Sequence, residues 1–370
     1  MKTKVCQVTC VHDRYDTRIF HKIAISLANF GYDSYVLCVD SKSSEKKRNV
    51  SFISVDYKPK NRIQRILFSW RKLKKPALDI DAEIYQLHDP ELLPLGKFLV
   101  KHNKKVIFDS HEDGRDIGLK PWIPKPFRKI TCKLYLSYEK KAIKKLSGCI
   151  SVDANIVERL SRHNPNTVQI TNYPFLPKIP NYLTDGYICY AGSPESYAQY
   201  EFISALSKAT FKNPYYLITN LNDASIVRCK TLPSWNKVVT STYMPYEELE
   251  IIYSKTTLGM SLAYPDIGTD YWNGAVGITK FFEFLAYGIP IICSSFKIWK
   301  DIIDKYKCGV YVDPYSIEEI SKELNNLLSD PVKLKTMSKN ARMAAEKEFN
   351  WNTQEIVLSN FYKKILQIGK

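Results

Sequence analysis

Residues 278–293 read ITKFFEFLAYGIPIIC, and this stretch predicts a helix followed directly by a buried strand. Apolar residues fill 281–287 except at Glu283, Gly288 supplies a helix stop, and Pro290 precedes the apolar run 291–293. The same order, a helix and then a short apolar strand, recurs along the whole 370-residue chain. Such alternation is typical of parallel sheets with crossover helices, so the sequence predicts an α/β protein.

The alternation divides the chain into two halves. Short strands are predicted in the first half at 5–9, 34–39, 84–87, 106–108 and 149–152, and in the second half at 188–191, 215–218, 258–262 and 291–293. Residues 174–186, PFLPKIPNYLTDG, carry three prolines and little periodicity, which is typical of an interdomain linker. We therefore predict two Rossmann-like domains, 1–175 and 186–350, facing each other across a cleft. The last helix, 351–370, is expected to pack back on the first domain.

The chain is strongly basic. Lysine and arginine number 54 against 38 aspartate and glutamate residues, which gives a formal net charge of +16 and a pI near 9.2. Such a charge favours a polyanion, an anionic membrane surface or a phosphorylated substrate as the binding partner. Nucleic acid is not expected, because the sequence contains no zinc finger, RRM signature or basic-region heptad array.

Composition excludes several other classes of protein. A hydrophobic content of 45% is enough for a buried core in each half, so extensive disorder is excluded. The longest apolar stretch, 284–296, is interrupted and shorter than the roughly 20 residues of a bilayer span, and the N-terminus has no secretory pattern, so we expect a cytoplasmic protein. Nine cysteines without a Cys-x-x-Cys pair indicate reduced thiols, and no histidine pair has metal-site spacing.

Polar residues follow two of the predicted strands, where open α/β sheets bind ligands. In FDSHED, 108–113, His111 could bond a sugar hydroxyl, or it could be a loop histidine bonded to a neighbouring carboxylate. In HDPE, 88–91, Asp89 is expected to cap the helix that Pro90 opens, while His88 and Glu91 could face an acceptor.

Glu283 lies among apolar residues on the helix predicted at 278–287. Since apolar side chains cover most of that helix, rotation cannot free Glu283 from apolar neighbours, and its carboxylate needs a partner. One candidate is Lys280, three residues earlier. The other is a ligand diol, because a carboxylate can accept hydrogen bonds from two adjacent hydroxyls, such as those of a ribose.

Two stretches of the first half concentrate positive charge. Residues 58–75 contain no acid and carry an apolar stripe formed by Ile63, Ile66, Leu67, Trp70 and Leu73. A helix over 62–75 could lie on anionic lipid, or it could pack on the core with a solvated basic face. For 125–145 we expect the core-packing arrangement.

The pattern Lys-x-x-Glu-Phe-x-Ala-x-Gly-x-Pro at 280–290 resembles the nucleotide-sugar signature of GT-B retaining glycosyltransferases of family 4. Other segments are similar to those of bacterial capsule, O-antigen and exopolysaccharide glycosyltransferases. They are residues 11–38, LHDPELLPLGK at 87–97, VIFDSHED at 106–113, NYP at 172–174, CGVYVDP at 308–314 and FNW at 349–351. The resemblance covers nearly the whole chain.

The resemblance implies a GT-B enzyme that moves a sugar from a UDP- or GDP-sugar to a cell-surface glycan, lipid-linked and at the inner face of the membrane. Glu283 would bind the donor ribose, Lys280 the diphosphate, and His111 the transferred sugar. Gly192 and Arg18 are the remaining residues assigned to the donor. In such enzymes the leaving phosphate deprotonates the acceptor on the same face, so no metal, cofactor or protein nucleophile is expected beyond the nucleotide-sugar co-substrate.

The sequence departs from the family pattern at three places. Ala275 stands where the family often has a second glutamate, residues 192–197 contain no arginine or lysine where a basic pair is usual, and 13–18 lack the usual glycine-rich loop. These departures leave open a non-catalytic GT-B-fold partner of a glycan-assembly system, and the net charge of +16 leaves open a polyanion-binding protein.

Overall fold

The computed structural model describes residues 2–120, 122–178, 180, 182–195, 197–265 and 278–368, and the chain forms two compact units. The first comprises Met1–Asn172 and Gln354–Lys370, and the second Tyr173–Thr353. The first unit ends slightly before the boundary at 175 expected from the sequence, because the Tyr173 ring packs 4.7 Å from that of Phe282 in the second unit's core. The predicted linker, where described, belongs to the second unit.

The first unit is built on an eight-stranded sheet in the order β3-β4-β2-β1-β5-β6-β7-β8. Every pairing is parallel except that of β3 with β4. The strands are β1 Lys4–Val8, β2 Asp33–Cys38, β3 Glu45–Lys47, β4 Val50–Ser54, β5 Ile84–Leu87, β6 Lys105–Ser110, β7 Gly148–Ser151 and β8 Thr167–Gln169.

Helices connect these strands. The first begins as a π-helix over Thr17–Ala24, capped by the Asp16 carboxylate, and continues as an α-helix. The α-helices are α1 Ile25–Asn29, α2 Arg62–Ile80, α3 Leu93–Lys101, α4 Arg128–Ile143 and α5 Ala154–Ser161. Short 3₁₀ turns lie at Pro90–Leu92, Gly114–Leu119 and Lys125–Phe127.

The second unit has a six-stranded parallel sheet in the order β11-β10-β9-β12-β13-β14. Its strands are β9 Tyr187–Ala191, β10 Tyr215–Ile218, β11 Val238–Ser241, β12 Thr256–Ser261, β13 Ile291–Ser294 and β14 Gly309–Val312. Its helices are α6 Gln199–Ala205, α7 Ala224–Cys229, α8 Tyr246–Tyr253, α9 Thr279–Tyr287, α10 Lys297–Tyr306, α11 Ile317–Leu328 and α12 Pro331–Lys347, with 3₁₀ turns at Leu206–Lys208 and Pro233–Lys237. The last helix, α13, spans Trp351–Gln367, and from Gln354 onward it belongs to the first unit.

Helix α9 is fixed by burial and by a glycine stop. Its aromatic residues Phe281, Phe282 and Phe284 are fully buried, and each such side chain contributes about 1.5–3 kcal/mol by leaving water. Gly259 of β12 lets the helix pack closely, because a Cβ there would lie 2.3 Å from the Phe284 ring. Gly288 ends the helix at a φ of +69°, a conformation that other residues rarely adopt.

Both sheets reverse their strand order beside the first strand of the unit. In the first unit β1 lies between β2 and β5, and in the second unit β9 lies between β10 and β12. The crevice outside the carboxyl ends of the strands at such a reversal is where doubly wound sheets bind ligands. None of the helices in the described part of the chain is long and apolar enough to cross a membrane.

Candidate functional site

Gly192 and Lys280 meet at the strand reversal of the second unit. Gly192 directly follows β9 at a φ of +149°, and a Cβ there would lie 2.6 Å from the Lys280 Nζ. Lys280 is in the first turn of α9, which follows β12, the neighbour of β9. The sequence assigned both residues to the donor, and the structure brings them together. The positive end of the α9 dipole adds to the Lys280 charge at this point.

Two tyrosines enclose the Lys280 side chain. Its Nζ donates a hydrogen bond of 2.9 Å to Tyr190 Oη and lies 4.2 Å and 3.8 Å from the ring centroids of Tyr190 and Tyr197. Burial lowers the pKa of Lys280 to about 7, although the nearby Glu283 carboxylate opposes the change. Tyr197 lies in the segment that has no basic pair, so aromatic rings surround the lysine there. The sequence analysis missed Tyr190, because a tyrosine at the end of a strand is indistinguishable from core packing.

Glu283 lies one turn further along α9. It is half-buried, and Tyr253 at the end of α8 donates a hydrogen bond of 3.0 Å to its Oε2. The ring of Tyr253 packs 5.4 Å from that of Phe284, which fixes the direction of its hydroxyl. Tyr253 therefore orients the carboxylate in the site. Ala275, which the sequence analysis singled out, lies outside the described residues.

Asp109 is a buried carboxylate of the first unit that several side chains contact. It is the second-last residue of β6 and is fully buried, and Arg18 donates to both carboxylate oxygens at 3.0 Å and 2.9 Å. Burial alone would raise the pKa of Asp109, but the charge of the Arg18 guanidinium outweighs burial and holds the pKa well below its usual range. The Arg18 side chain also donates to the Ile170 carbonyl. The donor role predicted for Arg18 would therefore require it to leave a buried ion pair.

His111 lies beside Asp109 and contacts the neighbouring His88. His111 follows β6 and is partly exposed, whereas His88 follows β5 and is buried. Nδ1 of His88 lies 3.1 Å from Nε2 of His111, and Nε2 of His88 lies 2.9 Å from Oε1 of Gln7. Burial lowers the pKa of His88. His88 therefore faces the protein interior, and the possibility that it meets an acceptor is not supported by this placement.

His88, Asp109 and His111 are also residue types that bind metals. Their nearest nitrogen and oxygen atoms lie within 4.8 Å of one another. The Asp109 oxygen that faces the histidines already accepts from Arg18 and from Gln86, and the guanidinium repels a second cation at this point. The cluster thus fits a hydrogen-bonded network better than a metal centre.

Asp89 does not cap the helix that follows it, so this prediction is wrong. Its carboxylate turns to the end of β1, where it accepts from Thr9 Oγ1 at 2.9 Å and from the Cys10 amide at 2.6 Å. His12 lies 2.9 Å away, and its hydrogen bond to Asp89 raises its pKa. Glu91, the other candidate in this segment, forms an ion pair with Arg65 of α2 at 3.0 Å.

The apolar residues of the two basic helices are only partly buried. On α2, Ile63 is 68% exposed and Leu67 48%, while Leu73 is buried and Trp70 packs against the core, so only the first half of the stripe faces solvent. On α4, Ile130 is 56% exposed and Leu134 65%. The expectation that 125–145 packs on the core is therefore wrong for the first half of α4, although Ala142 and Ile143 at its end are buried.

Comparison with protein families finds a match in the second unit. Residues 225–344 match the family model described as Glycosyl transferases group 1. This segment covers less than half of the chain, but it contains Lys280, Glu283 and Tyr253. No curated protein matches the chain.

Solved structures resemble the protein over almost its whole length. Sucrose-phosphate synthase from Thermosynechococcus elongatus is similar with a TM-score of 0.73 at 14% identity, over 99% of both chains. WaaG, a glycosyltransferase involved in lipopolysaccharide biosynthesis, has a TM-score of 0.68 at 12% identity, over 96% of this chain and 99% of its own. HepE of Anabaena, solved with UDP and glucose, has a TM-score of 0.63 at 13% identity, over 98% of this chain and 99% of its own. Identities this low show the fold alone, and they confirm the GT-B class of two Rossmann-like domains.

Proposed function

We propose that this protein is a metal-independent, family-4-like glycosyltransferase that transfers a sugar from a UDP- or GDP-sugar to a cell-surface glycan with retention of configuration. The observation that carries the proposal is the joint position of Lys280 and Glu283. Both lie on α9 next to the strand reversal of the second unit, within the segment that matches the group 1 family. An anion-binding group and a diol-binding group separated by one helical turn suit a nucleoside diphosphate.

Each residue of this pair has a distinct role in donor binding. A diphosphate near Lys280 would favour the charged lysine and make charge-assisted hydrogen bonds with it, each contributing about 1.5–3 kcal/mol. Glu283 accepts from the ribose hydroxyls while Tyr253 fixes its orientation. Gly192 keeps the space beside Lys280 open for a phosphate, because any side chain there would meet the ammonium group.

The proposed transfer step depends on where negative charge develops. When the bond between sugar and phosphate breaks, negative charge develops on the diphosphate, and Lys280 stabilises it. The leaving phosphate takes the proton of the acceptor hydroxyl on the same face, which retains the configuration. His111 accepts a hydrogen bond from a hydroxyl of the transferred sugar and positions it.

We further propose that the acceptor is lipid-linked and that the first unit lies on the inner face of the membrane. Support comes from exposed apolar residues on both basic helices, Ile63 and Leu67 of α2 and Ile130 and Leu134 of α4. The start of α2 also lies close to the segment that leads into α4, because the Arg62 guanidinium is 4.8 Å from the centroid of the Trp122 ring. Exposed apolar side chains among lysines and arginines favour the boundary of an anionic bilayer.

A second candidate is a non-catalytic GT-B-fold partner of a glycan-assembly system. It is favoured by the tyrosines around Lys280 and by the lack of arginine and lysine at 192–197. Calorimetry with UDP, GDP and their sugars distinguishes the two candidates. The enzyme must bind one of these nucleotides and bind it more weakly in Glu283→Ala, whereas a partner or a general polyanion binder would show no preference for nucleotides.

A donor screen against extracted polyprenyl-linked glycans then tests the acceptor. Transfer of radioactive sugar into the lipid fraction supports the proposal. Transfer to water-soluble sugars alone would contradict the lipid-linked acceptor while leaving the enzyme class intact.

A further inference from the structure

A chain of buried side chains connects His111 to the last helix of the protein. It runs from Asp109 through Gln86, Tyr362, Gln7 and His88, and all five of these residues are almost completely buried. Tyr362 lies on α13, and it is 276 residues from its partner Gln86. Hydrogen bonds in a buried chain cannot be exchanged for water, so each donor must face an acceptor.

The direction of the chain follows from Asp109, since an ionised carboxylate only accepts hydrogen bonds. Gln86 lies 2.9 Å from Asp109 Oδ2 and must present its NH₂ group there. Its carbonyl oxygen therefore points at Tyr362 Oη, 2.6 Å away, and Tyr362 must donate to it. Burial raises the pKa of Tyr362, which keeps the hydroxyl protonated.

The remaining links are then determined. Having donated its only proton, Tyr362 accepts from Gln7 at 3.1 Å, so the NH₂ group of Gln7 faces it. The Gln7 carbonyl oxygen lies 2.9 Å from Nε2 of His88, which must carry a proton. Burial lowers the pKa of His88 and keeps the ring neutral, so its Nδ1 is bare and accepts from Nε2 of His111 at 3.1 Å.

The opposite arrangement fails at Gln7. A proton on His88 Nδ1 could be donated to a bare Nε2 of His111 at 3.1 Å, but it would leave a bare His88 Nε2 facing the Gln7 carbonyl oxygen at 2.9 Å. If the Gln7 amide were flipped to repair that contact, Tyr362 would have to donate to Gln7 and accept from Gln86, so the Gln86 amide would have to flip as well. The Gln86 oxygen would then face the Asp109 carboxylate. An unpaired buried polar contact costs about 1–3 kcal/mol.

We propose that Tyr362 and Gln7 are positioning residues that fix His111 as the tautomer with the proton on Nε2 and a bare Nδ1. The bare Nδ1 is then the atom that accepts a hydrogen bond from a substrate hydroxyl. This second step rests on the proposed function, whereas the tautomer does not. The last helix thereby supplies a group that controls a residue at the carboxyl end of β6.

Nitrogen-15 NMR of the full-length protein labelled in histidine reads the tautomer directly, without any donor. The resonances of His111 are assigned with His111→Asn, and spectra are recorded at pH 8.5, above the range where histidines usually titrate. We expect wild type to show a protonated Nε2 and a bare Nδ1. Tyr362→Phe should give a mixture of tautomers, because Gln7 is then no longer held in one orientation, although Asp109 still orients Gln86.

A second variant, Gln7→Glu, and a control variant, Tyr85→Phe, distinguish a change of tautomer from a general loss of stability. Gln7→Glu keeps the shape of the side chain but places a carboxylate beside His88, so His88 becomes charged and donates from Nδ1, and His111 should carry its proton on Nδ1. Tyr85→Phe removes another fully buried hydroxyl of the same unit, which bonds the Ala77 carbonyl, and should leave the tautomer as in wild type.

Kinetic measurements test whether the hydrogen-bond chain affects sugar transfer. Tyr362→Phe should lower kcat at least about twofold, because a mixture leaves a fraction of molecules with the wrong tautomer, and should leave nucleotide affinity unchanged. A wild-type His111 protonated on Nδ1, or a Tyr362→Phe spectrum identical to wild type, would overturn the inference. If the tautomer is as expected but His111→Ala retains full turnover, the inference about the hydrogen-bond chain is supported and the proposed role of His111 in sugar transfer is refuted.

Discussion

The low pKa of Lys280 leads to a quantitative prediction for donor binding. In the ligand-free protein the pKa is about 7 because burial disfavours the charged lysine, so most molecules hold a neutral lysine at pH 8 and above. A bound diphosphate favours the charged form and restores a pKa near that of an ordinary lysine. Binding above pH 7 therefore takes up a proton, and the affinity must fall as the pH rises.

The magnitude follows from the fraction of charged lysine. Each pH unit above 7 reduces that fraction about tenfold, which corresponds to about 1.4 kcal/mol of binding free energy. Between pH 6 and pH 9 the affinity should thus weaken by about 100-fold. The uptake of protons at pH 8 should approach one per nucleotide.

Calorimetry with UDP-glucose or GDP-mannose measures both quantities, since their bridged diphosphates have no group that titrates near pH 7. Titrations in two buffers with different ionisation enthalpies give the proton uptake. Lys280→Met should bind weakly at every pH and show no slope, while Lys297→Met, which removes an exposed lysine of α10, should keep the wild-type slope. Affinity that stays constant from pH 6 to 9 in wild type would refute the assignment of Lys280 to the diphosphate.

Three further predictions concern the other parts of the site. Glu283→Ala should weaken nucleotide binding by about 2 kcal/mol, because two hydroxyl hydrogen bonds to a carboxylate are lost, and isothermal titration of a folded variant with unchanged affinity would remove the ribose assignment. His111→Ala should lower turnover and leave nucleotide affinity nearly intact, as measured by comparing kcat with the calorimetric Kd, and an equal loss of both would place His111 elsewhere. A four-fold variant, in which serine replaces Ile63, Leu67, Ile130 and Leu134, should no longer co-sediment with vesicles that contain anionic lipid. Its activity on a lipid-linked acceptor should also be lower. As controls, Val227→Ser and Val332→Ser change exposed apolar residues of the second unit and should sediment like wild type. Salt should release the wild-type protein from the vesicles, and sedimentation of the four-fold variant that equals wild type would exclude this surface as the lipid contact.

The local features of the chain were predictable because each depends on residues close in sequence. The helix before Gly288 and the strand after Pro290 were expected at 278–287 and 291–293, and they form at Thr279–Tyr287 and Ile291–Ser294. Helix α11 likewise begins with a contact between residues close in sequence, since the Ser316 hydroxyl accepts from the Glu319 amide. The hairpin of β3 and β4 was missed, because its short strands carry polar and charged residues that give no apolar run.

Errors arose where a residue's partner lies far away in the sequence. Asp89 and Pro90 form a pattern that predicts a helix cap, yet the carboxylate binds Thr9 and Cys10, about 80 residues earlier. Trp70 fits the predicted apolar stripe of α2, but the core of the first unit covers it and leaves only the start of the stripe exposed. Spacing shows which side chains share a helix face, and it does not show which part of that face another element covers.

By itself, the sequence determined the alternation of helices and strands, the two-domain class and the positions of Lys280, Glu283 and His111, because periodicity, glycine stops and motif spacing are local. Only the tertiary structure decided the chemical state of these groups. The pKa of Lys280 is lowered by burial in a site where it contacts a tyrosine 90 residues away, and the ionisation of Asp109 depends on Arg18, 91 residues away. Burial and partner charges set protonation, and both exist only after the order of strands in each sheet has brought distant residues into contact.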